Sequence, residues 1–234
     1  FYRGELAERI QAFATKHGAA ITAGDMAAHT NDWCGTIEQS FGDAALHEIP
    51  PNGQGIAALM ALGMLKGSGI EDLDPDGPEA LHLQIEAMKL AFMDIHAFVA
   101  DQLSMAEVTA SHLLDPAYLA SRAALIDRTR AREYPVGAPR DGGTVCLAAA
   151  DADGMMVSFI QSNYAGFGSG VVVPGTGISL QNRAFGFSTK AGHPNQVGPG
   201  KRPFHTIIPG FVMGPDGPSM AFGLMGGPMQ AQGH

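Results

Sequence analysis

Glycine and proline divide this chain into two parts with different patterns. Its 234 residues include 31 glycines and 15 prolines, and both residue types interrupt helices. Residues 1–141 are patterned mainly as helices, whereas residues 142–234 alternate short apolar runs with Gly- and Pro-rich breaks, which is typical of β-hairpins. This order predicts an α+β fold in which sheets and helices form layers.

Apolar periodicity and capping residues predict five helices in the first part. In chain order they cover Leu6 to Gly18, start at a Thr22–Asp25 cap, cover Ile56–Leu65, run from Pro78 to about Val99, and run from Asp115-Pro116 to about Arg132. In the longest helix the spacing predicts that Leu81, Ile85, Met88 and Phe92 face inward. Weak alternation over 33–49 predicts one or two strands.

Two hairpins are predicted in the second part. A polar Gly/Pro-rich linker, Tyr134–Gly143, leads into runs at Thr144–Ala150 and Met156–Ser162, which an Asp-Gly turn joins. The second pair is Thr206–Met213 and Met220–Leu224. The glycine-rich stretch Ala165–Gly170 opens no long helix, so a tight turn is favoured there over a phosphate cradle.

Charge and hydropathy exclude two classes of function. Lys and Arg number 14 against 23 Asp and Glu, a net charge of −9, whereas nucleic-acid binding needs a basic face. No apolar run reaches the roughly 20 residues of a membrane-spanning helix. The sequence therefore predicts no nucleic-acid partner and no membrane span, and it indicates no compartment, cytoplasmic or periplasmic.

Metal and disulfide signals are weak. Cys34 and Cys146 have neither zinc spacing nor the number that a disulfide framework needs. His82 and Glu86 lie four apart on a helix, but without a third ligand they are interpreted as a partly solvated face. We therefore expect no metal and no cofactor.

The junction Gly143-Thr144 is the strongest chemical signal. A linker that runs into a Thr at the head of a strand is what an N-terminal-nucleophile enzyme needs, since cleavage before that Thr frees an α-amine beside its hydroxyl. Spacing alone favours the simpler interpretation, a β-favouring Thr at the start of an edge strand. The junction by itself therefore does not establish a nucleophile.

Motifs along the whole chain resemble the γ-glutamyltranspeptidase family, in the form seen in a bacterial branch. They occur in the family's order: Phe1–Gly4 with the helix start that follows, Pro50–Gly55, Glu86–Phe92, Gly143-Thr144, Asp151–Gly154, Phe167–Gly170, Gly177–Asn182, Gly198–Pro203 and Met225–Gly227. The resemblance implies the αββα sandwich of N-terminal-nucleophile hydrolases. It also implies a precursor that cleaves itself between Gly143 and Thr144. Residues 1–143 would then belong to the large subunit and residues 144–234 to the small subunit.

The resemblance also assigns roles to residues. It implies that Thr144 is the nucleophile, that Ser162 is its hydrogen-bonding hydroxyl, and that the backbone N–H groups of Gly226 and Gly227 form the oxyanion hole. Glycine suits that last place, because a side chain would keep the substrate carbonyl away from the amides. The implied reaction passes through an acyl-Thr ester. Its donor is a γ-glutamyl or related acyl compound, and its acceptor is water, an amino acid or a peptide.

The positions that grip the donor depart from the family pattern. Where the family holds the glutamyl α-amino group with a Gln and two Asp, this chain has Arg183, Phe185 and Gly186. The family's Ser-Ser pair for the α-carboxylate is His205-Thr206 here, of which Thr206 is expected to keep its role. His205 suits a substrate contact and a core position equally well, and Tyr164 replaces an Asn. Val145 replaces the Thr that commonly follows the nucleophile.

Three hypotheses follow. The first is a γ-glutamyltranspeptidase-like acyltransferase or amidohydrolase. The second is a glutaryl- or cephalosporin-type acylase whose donor lacks the α-amino group, and the third is an unprocessed paralogue without catalysis. Segments that the family carries before Phe1 and after His234 are absent from the sequence, so we expect an incomplete portion of the sandwich.

Overall fold

The structure is a computed structural model that describes residues 1–133 and 143–234. The predicted linker lies outside the described residues except for Gly143. The α-helices are α1 (Glu5–His17), α2 (Ala23–Ala28), α3 (Ile56–Leu65), α4 (Pro78–Phe98), α5 (Ala110–Leu113), α6 (Pro116–Ala123) and α7 (Gln230–Gly233). Short 3-10 turns occupy Ile70–Asp72, Gln102–Ser104, Arg183–Gly186 and Gly227–Met229. No helix in the described part of the chain is long and apolar enough to cross a membrane.

The strands form three sheets. They are β1 (Ile37–Phe41), β2 (Ala44–Glu48), β3 (Gly143–Ala150), β4 (Met156–Tyr164), β5 (Val172–Val173), β6 (Ile178–Ser179), β7 (Gly210–Gly214) and β8 (Gly217–Phe222). One four-stranded antiparallel sheet has the order β1-β2-β7-β8, while β3-β4 and β5-β6 are two-stranded. Because β2 pairs with β7, the helical part of the sequence and the hairpin part share one sheet.

Local signals account for most of the predicted elements. The Thr22 hydroxyl accepts from the N–H of Asp25 while the Asp25 carboxylate accepts from the N–H of Thr22, a complete capping box at α2. Gly18 ends α1 in the left-handed conformation that glycine adopts readily. In the β3–β4 turn the Asp151 carboxylate accepts from the N–H groups of Asp153 and Met155, and both predicted hairpins are confirmed.

The core lies between α3, α4 and the four-stranded sheet. Helix α3 is apolar on every side, and almost all of its residues are buried. The predicted inward face of α4 is half right: Met88 and Phe92 pack partly buried against the core, but Leu81 and Ile85 are exposed, and Leu83 and Leu90 are buried instead. The alanines at 80, 87 and 91 of α4 are fully buried, and their small side chains allow α3 to approach closely. This close packing favours burial of the alanine side of α4 over burial of Leu81 and Ile85.

Two further expectations need correction. Helix α6 ends at Ala123 rather than near Arg132, and the Asp127 carboxylate instead binds the N–H and hydroxyl of Thr129 in a turn. Glu86 is fully buried and forms an ion pair with Lys89 at 2.6 Å. The prediction that it lies on a partly solvated face is therefore wrong. His82 Nε2 lies 2.7 Å from the carbonyl oxygen of Asp127, and no metal-binding cluster occurs within residues 1–133 and 143–234.

The β3–β4 hairpin lies beside the end of β8. The Ser158 hydroxyl donates to the carbonyl of Phe222 at 2.7 Å. Gly223, the next residue, passes so close to Cys146 that an added Cβ would lie 2.6 Å from its Sγ. The hairpin therefore brings the start of β3 to the loop that follows β8.

Candidate active site

The register of the hairpin places Thr144 opposite Ser162. The Thr144 hydroxyl donates to Ser162 Oγ at 3.1 Å, and the same oxygen accepts from the N–H of Tyr164 at 2.9 Å. Thr144 and Ser162 are both half-buried, and the ladder has an irregularity between Gly143 and Thr144. The predicted nucleophile and its predicted partner are thus in direct contact where β3 begins.

Gly226 and Gly227 follow β8 and have positive φ angles, which favour glycine. Their φ angles are +137° and +58°. A Cβ at Gly226 would lie 2.8 Å from the terminal carbon of Met229. The loop that carries the pair begins at Gly223, which lies against Cys146, two residues along β3 from Thr144.

Arg183 is buried beside the end of β4. Only 5% of its surface is exposed, and its Nη1 donates to Thr206 Oγ1 at 2.8 Å. Its guanidinium carbon lies 4.6 Å from the centre of the Tyr164 ring, an attractive arrangement for a cation over an aromatic face. Burial lowers the pKa of Arg183 to about 10, so the side chain is charged at neutral pH.

Tyr164 ends β4 with an unusual backbone. Its φ of +74° is uncommon for a residue with a side chain. The ring is also stacked near Phe185, with 6.0 Å between the ring centres. This geometry turns the Tyr164 ring toward the 3-10 turn that carries Arg183.

His205 is held by the backbone around it. Its N–H donates to the carbonyl of Asn52 at 3.0 Å, its carbonyl accepts from the N–H of Gln54 at 2.9 Å, and its Nδ1 accepts from the N–H of Ile207 at 3.2 Å. Burial, and then the nearby charge of Arg183, lower the pKa of His205 to about 3. Its imidazole is therefore neutral, and its packing fits a core role better than a charged contact.

Gln54 completes the site, although sequence reasoning did not name it. It is fully buried, and its Nε2 donates to the carbonyls of Thr206 at 2.8 Å and of Gly227 at 2.9 Å. Its place inside the Pro50–Gly55 motif was the available signal. Gln54 thereby links the glycine pair to the extended segment before β7 that carries Thr206.

The eight predicted site residues form one connected set. Contacts run from Thr144 through Ser162 and Tyr164 to Arg183, and then through Thr206 and Gln54 to Gly227. His205 and Gly226 are chain neighbours of this path. The fold therefore links the eight residues through stepwise contacts, while the role of each stays a prediction.

Comparison with known proteins identifies relatives of the whole chain. The family profile described as Gamma-glutamyltranspeptidase matches residues 1–234. The chain is 36% identical over 234 residues to the glutathione hydrolase-like YwrD proenzyme of Bacillus subtilis, covering 99% of this chain and 44% of that protein. It is 38% identical over 232 residues to the oxamate amidohydrolase proenzyme of Klebsiella pneumoniae, covering 99% and 43%.

Solved structures agree with these relatives. The cephalosporin acylase from Bacillus halodurans superposes with a TM-score of 0.91 at 48% identity, covering all of this chain and 42% of that one. The predicted α+β fold of the N-terminal-nucleophile hydrolases is thereby confirmed. The chain spans less than half the length of the relatives that it matches.

Proposed function

Because this chain belongs to the gamma-glutamyltranspeptidase family, we propose that it carries the nucleophile of a self-processing amidohydrolase or acyltransferase. The precursor cleaves itself between Gly143 and Thr144, and Thr144 then transfers an acyl group from an amide donor to water, an amino acid or a peptide. The two products of cleavage remain together as large and small subunits. The contact between Thr144 and Ser162 is the observation that carries this proposal.

Cleavage needs the Thr144 hydroxyl to attack the carbonyl carbon that precedes it. The oxygen of Thr144 forms a bond to the carbonyl carbon of Gly143 while the peptide C–N bond breaks, which leaves an ester and a free α-amine. Water then hydrolyses the ester, and Gly143 keeps a carboxylate. The interrupted ladder at Gly143 supports this step, because it separates this peptide from the regular strand pairing.

Turnover reuses the same oxygen. The freed α-amine of Thr144 takes the hydroxyl proton, the oxygen attacks the donor carbonyl, and the proton passes to the nitrogen of the leaving amine as the C–N bond breaks. The acyl ester is then cleaved by water or by an acceptor amine. Ser162 is suited to orienting the Thr144 hydroxyl, since its oxygen accepts the hydroxyl's hydrogen bond before the attack.

The glycine pair would stabilise the negative oxygen of the tetrahedral intermediate. Backbone N–H donors suit this task because they are fixed before the reaction, and one such donor typically changes the rate by about 10²–10³. The bond from Gln54 to the carbonyl of Gly227 holds the pair in place. Gln54 is therefore a positioning residue in this mechanism.

The donor is a γ-glutamyl or related acyl compound. The relatives' names include both a glutathione hydrolase-like protein and an oxamate amidohydrolase, so they agree on cleavage of a carbon–nitrogen bond and differ in the acyl part. The main hypothesis and the acylase alternative share the chemistry of Thr144. They differ in the donor group that is expected to lie near Arg183.

The test uses the full-length protein and its mass under denaturing conditions. We expect two fragments, one of which begins at Thr144. Incubation with a slowly hydrolysed acyl donor should add the acyl mass to that fragment alone. One intact chain that gains no acyl mass would instead support the unprocessed, non-catalytic alternative.

A further inference from the structure

A second buried glutamine lies beside the glycine pair. Gln230 is the first residue of α7 and is fully buried, as Gln54 is. With its amide nitrogen facing the backbone, Gln230 donates to the carbonyl oxygens of Leu224 at 3.0 Å and of Thr206 at 3.3 Å. The opposite orientation would place its amide oxygen against acceptors only, so these hydrogen bonds assign the orientation of the amide.

The two glutamines hold opposite ends of one short segment, the glycine loop (Leu224–Gly227). Gln230 binds the carbonyl of Leu224, and Gln54 binds the carbonyl of Gly227 at 2.9 Å. Both side chains also bind the carbonyl of Thr206, which gives them a common anchor. The glycine loop is therefore fixed at both ends by side chains that lie beneath it.

The carbonyl contacts decide where the N–H groups of the glycine loop point. A trans peptide is planar, and its C=O and N–H point in opposite directions. The carbonyl of Gly226 accepts from the N–H of Met229 at 3.3 Å, so the N–H of Gly227 points away from that turn. Neither the N–H of Gly226 nor that of Gly227 has a hydrogen-bond partner among residues 1–133 and 143–234. The loop thus keeps two donors unused, and it reaches the surface at Met225, which is 57% exposed.

Helix α7 is also anchored at its other end. His234 lies four residues after Gln230 and so on the same side of the helix. Its Nδ1 lies 2.6 Å from Oε1 of Glu48, and both side chains are fully buried. Because Glu48 ends β2, this contact ties the helix that carries Gln230 to the four-stranded sheet.

We infer that Gln230 is a positioning residue for the oxyanion hole. It holds the Leu224 end of the glycine loop while Gln54 holds the Gly227 end, so that the N–H groups meet the donor's oxygen without rearrangement. This role rests on the proposed function. The negative oxygen exists only after Thr144 attacks, so the role concerns the transition state rather than the bound donor. Loss of the Gln230 amide should therefore lower kcat and leave KM nearly unchanged.

Gln230→Met in the processed full-length protein tests this role. Methionine is similar in length and volume and lacks the amide, so the packing is kept while both hydrogen bonds are lost. The probe is γ-glutamyl- or glutaryl-p-nitroanilide, whichever the wild type cleaves, with rates counted per chain that begins at Thr144. We expect kcat to fall about 10–100-fold while KM stays within about twofold. Gln232→Met, at an exposed glutamine two residues along α7, is the matched control and should keep the wild-type kcat.

Two results with this variant would overturn the inference. One is a kcat within about twofold of the wild-type value. The other is a loss of kcat/KM that comes from KM, which would assign Gln230 to packing around the bound donor. Gln230→Asn keeps a buried amide that is one methylene shorter, and it serves the same comparison if the methionine variant does not fold.

A double variant separates positioning from a general disturbance of the site. If Gln230 acts through the glycine loop, Gln230→Met should lower kcat about threefold or less in a Gly226→Ala background, because the donor that it positions is already impaired. Full multiplication of the two losses would mean that they act independently, and it would also overturn the inference.

The proposed function and this inference fail in different ways. A wild-type protein that stays one chain and cleaves no donor would contradict the proposed function, and the role of Gln230 with it. A wild-type protein that processes and turns over, beside a Gln230→Met variant with unchanged kcat, would contradict the inference alone.

Discussion

The core around α3 and α4 and the β3–β4 hairpin differ in how deeply their apolar side chains are buried. In the core Ile56, Leu59 and Leu90 are fully buried. In the hairpin the outward face keeps Val145 and Phe159 about half exposed, at 59% and 48%. Its inward face is mixed, with the small or polar residues Thr144, Cys146, Ser158 and Ser162 beside Met156 and Ile160.

The difference indicates that stability and chemistry have separate sources in this chain. Burial of apolar side chains, worth roughly 1.5–3 kcal/mol each, is concentrated in the α3–α4 core. The nucleophile lies on a hairpin that contributes little of that burial, so its hydroxyl stays within reach of a substrate. Variants in the hairpin should therefore change activity, and variants in the core should change stability.

The largest effect is expected at the nucleophile. Thr144→Ala should abolish both processing and turnover in the full-length protein, while the melting temperature stays within about 2 °C, because a half-buried hydroxyl contributes only about 1 kcal/mol. Denaturing mass, initial rates and thermal melting measure the three properties. Thr144→Ser should still process, and normal processing of the Ala variant would show that the junction lies elsewhere.

A substitution at Gly226 should lower both activity and stability. Gly226→Ala is expected to lower the acylation rate about 10²–10³-fold if its N–H faces the oxyanion. It should also destabilise by about 1–3 kcal/mol, since φ is +137°. Gly217→Ala is the control, because Gly217 has a similar φ of +115° at the first residue of β8. Equal rates for both variants would remove the glycine pair from the mechanism.

In the core, Leu90→Ala should lower the free energy of unfolding by about 2–5 kcal/mol. At a temperature well below the melting point, kcat/KM of the Leu90→Ala variant should stay within about twofold of the wild-type value. That corresponds to a small change in the activation free energy. Ile85→Ala on the exposed face of α4 should cost about 0.5 kcal/mol or less. Denaturant unfolding of the full-length variants measures both costs. Equal costs would mean that the exposed face of α4 is covered in the whole protein.

The smallest effect concerns pH and His205. Its lowered pKa means that the unfolded chain binds a proton below about pH 6.5 while the folded chain does not, so acidification disfavours folding. As the pH falls from 7.5 to 5, the wild-type protein should lose more stability than the His205→Gln variant. The pH profiles of kcat/KM for the two proteins should be the same. Thermal melting at each pH gives the first comparison. A relative gain for wild type would mean that His205 binds its proton in the fold.

Much of the site was accessible from the sequence. Thr144 and Ser162 lie in strands that an Asp-Gly turn joins, and a short turn fixes the register of both strands. Gln54 was missed because a buried amide gives no periodic signal, although its motif was noticed. The apolar pattern places Met88 and Phe92 of α4 correctly but misplaces Leu81 and Ile85, because it gives no weight to the alanines that the fold buries.

The sequence by itself determined the features that depend on residues close in the chain. These are the capping box at Thr22, the left-handed end of α1 at Gly18 and the pairing of β3 with β4, because their hydrogen bonds form within or between neighbouring segments. Only the tertiary structure decided that β2 pairs with β7, which face of α4 is buried, and that Arg183 lies buried against Thr206 with no ion-pair partner among residues 1–133 and 143–234. Those outcomes join residues far apart in the chain, where packing and desolvation across the whole fold select among arrangements that local preferences leave equal.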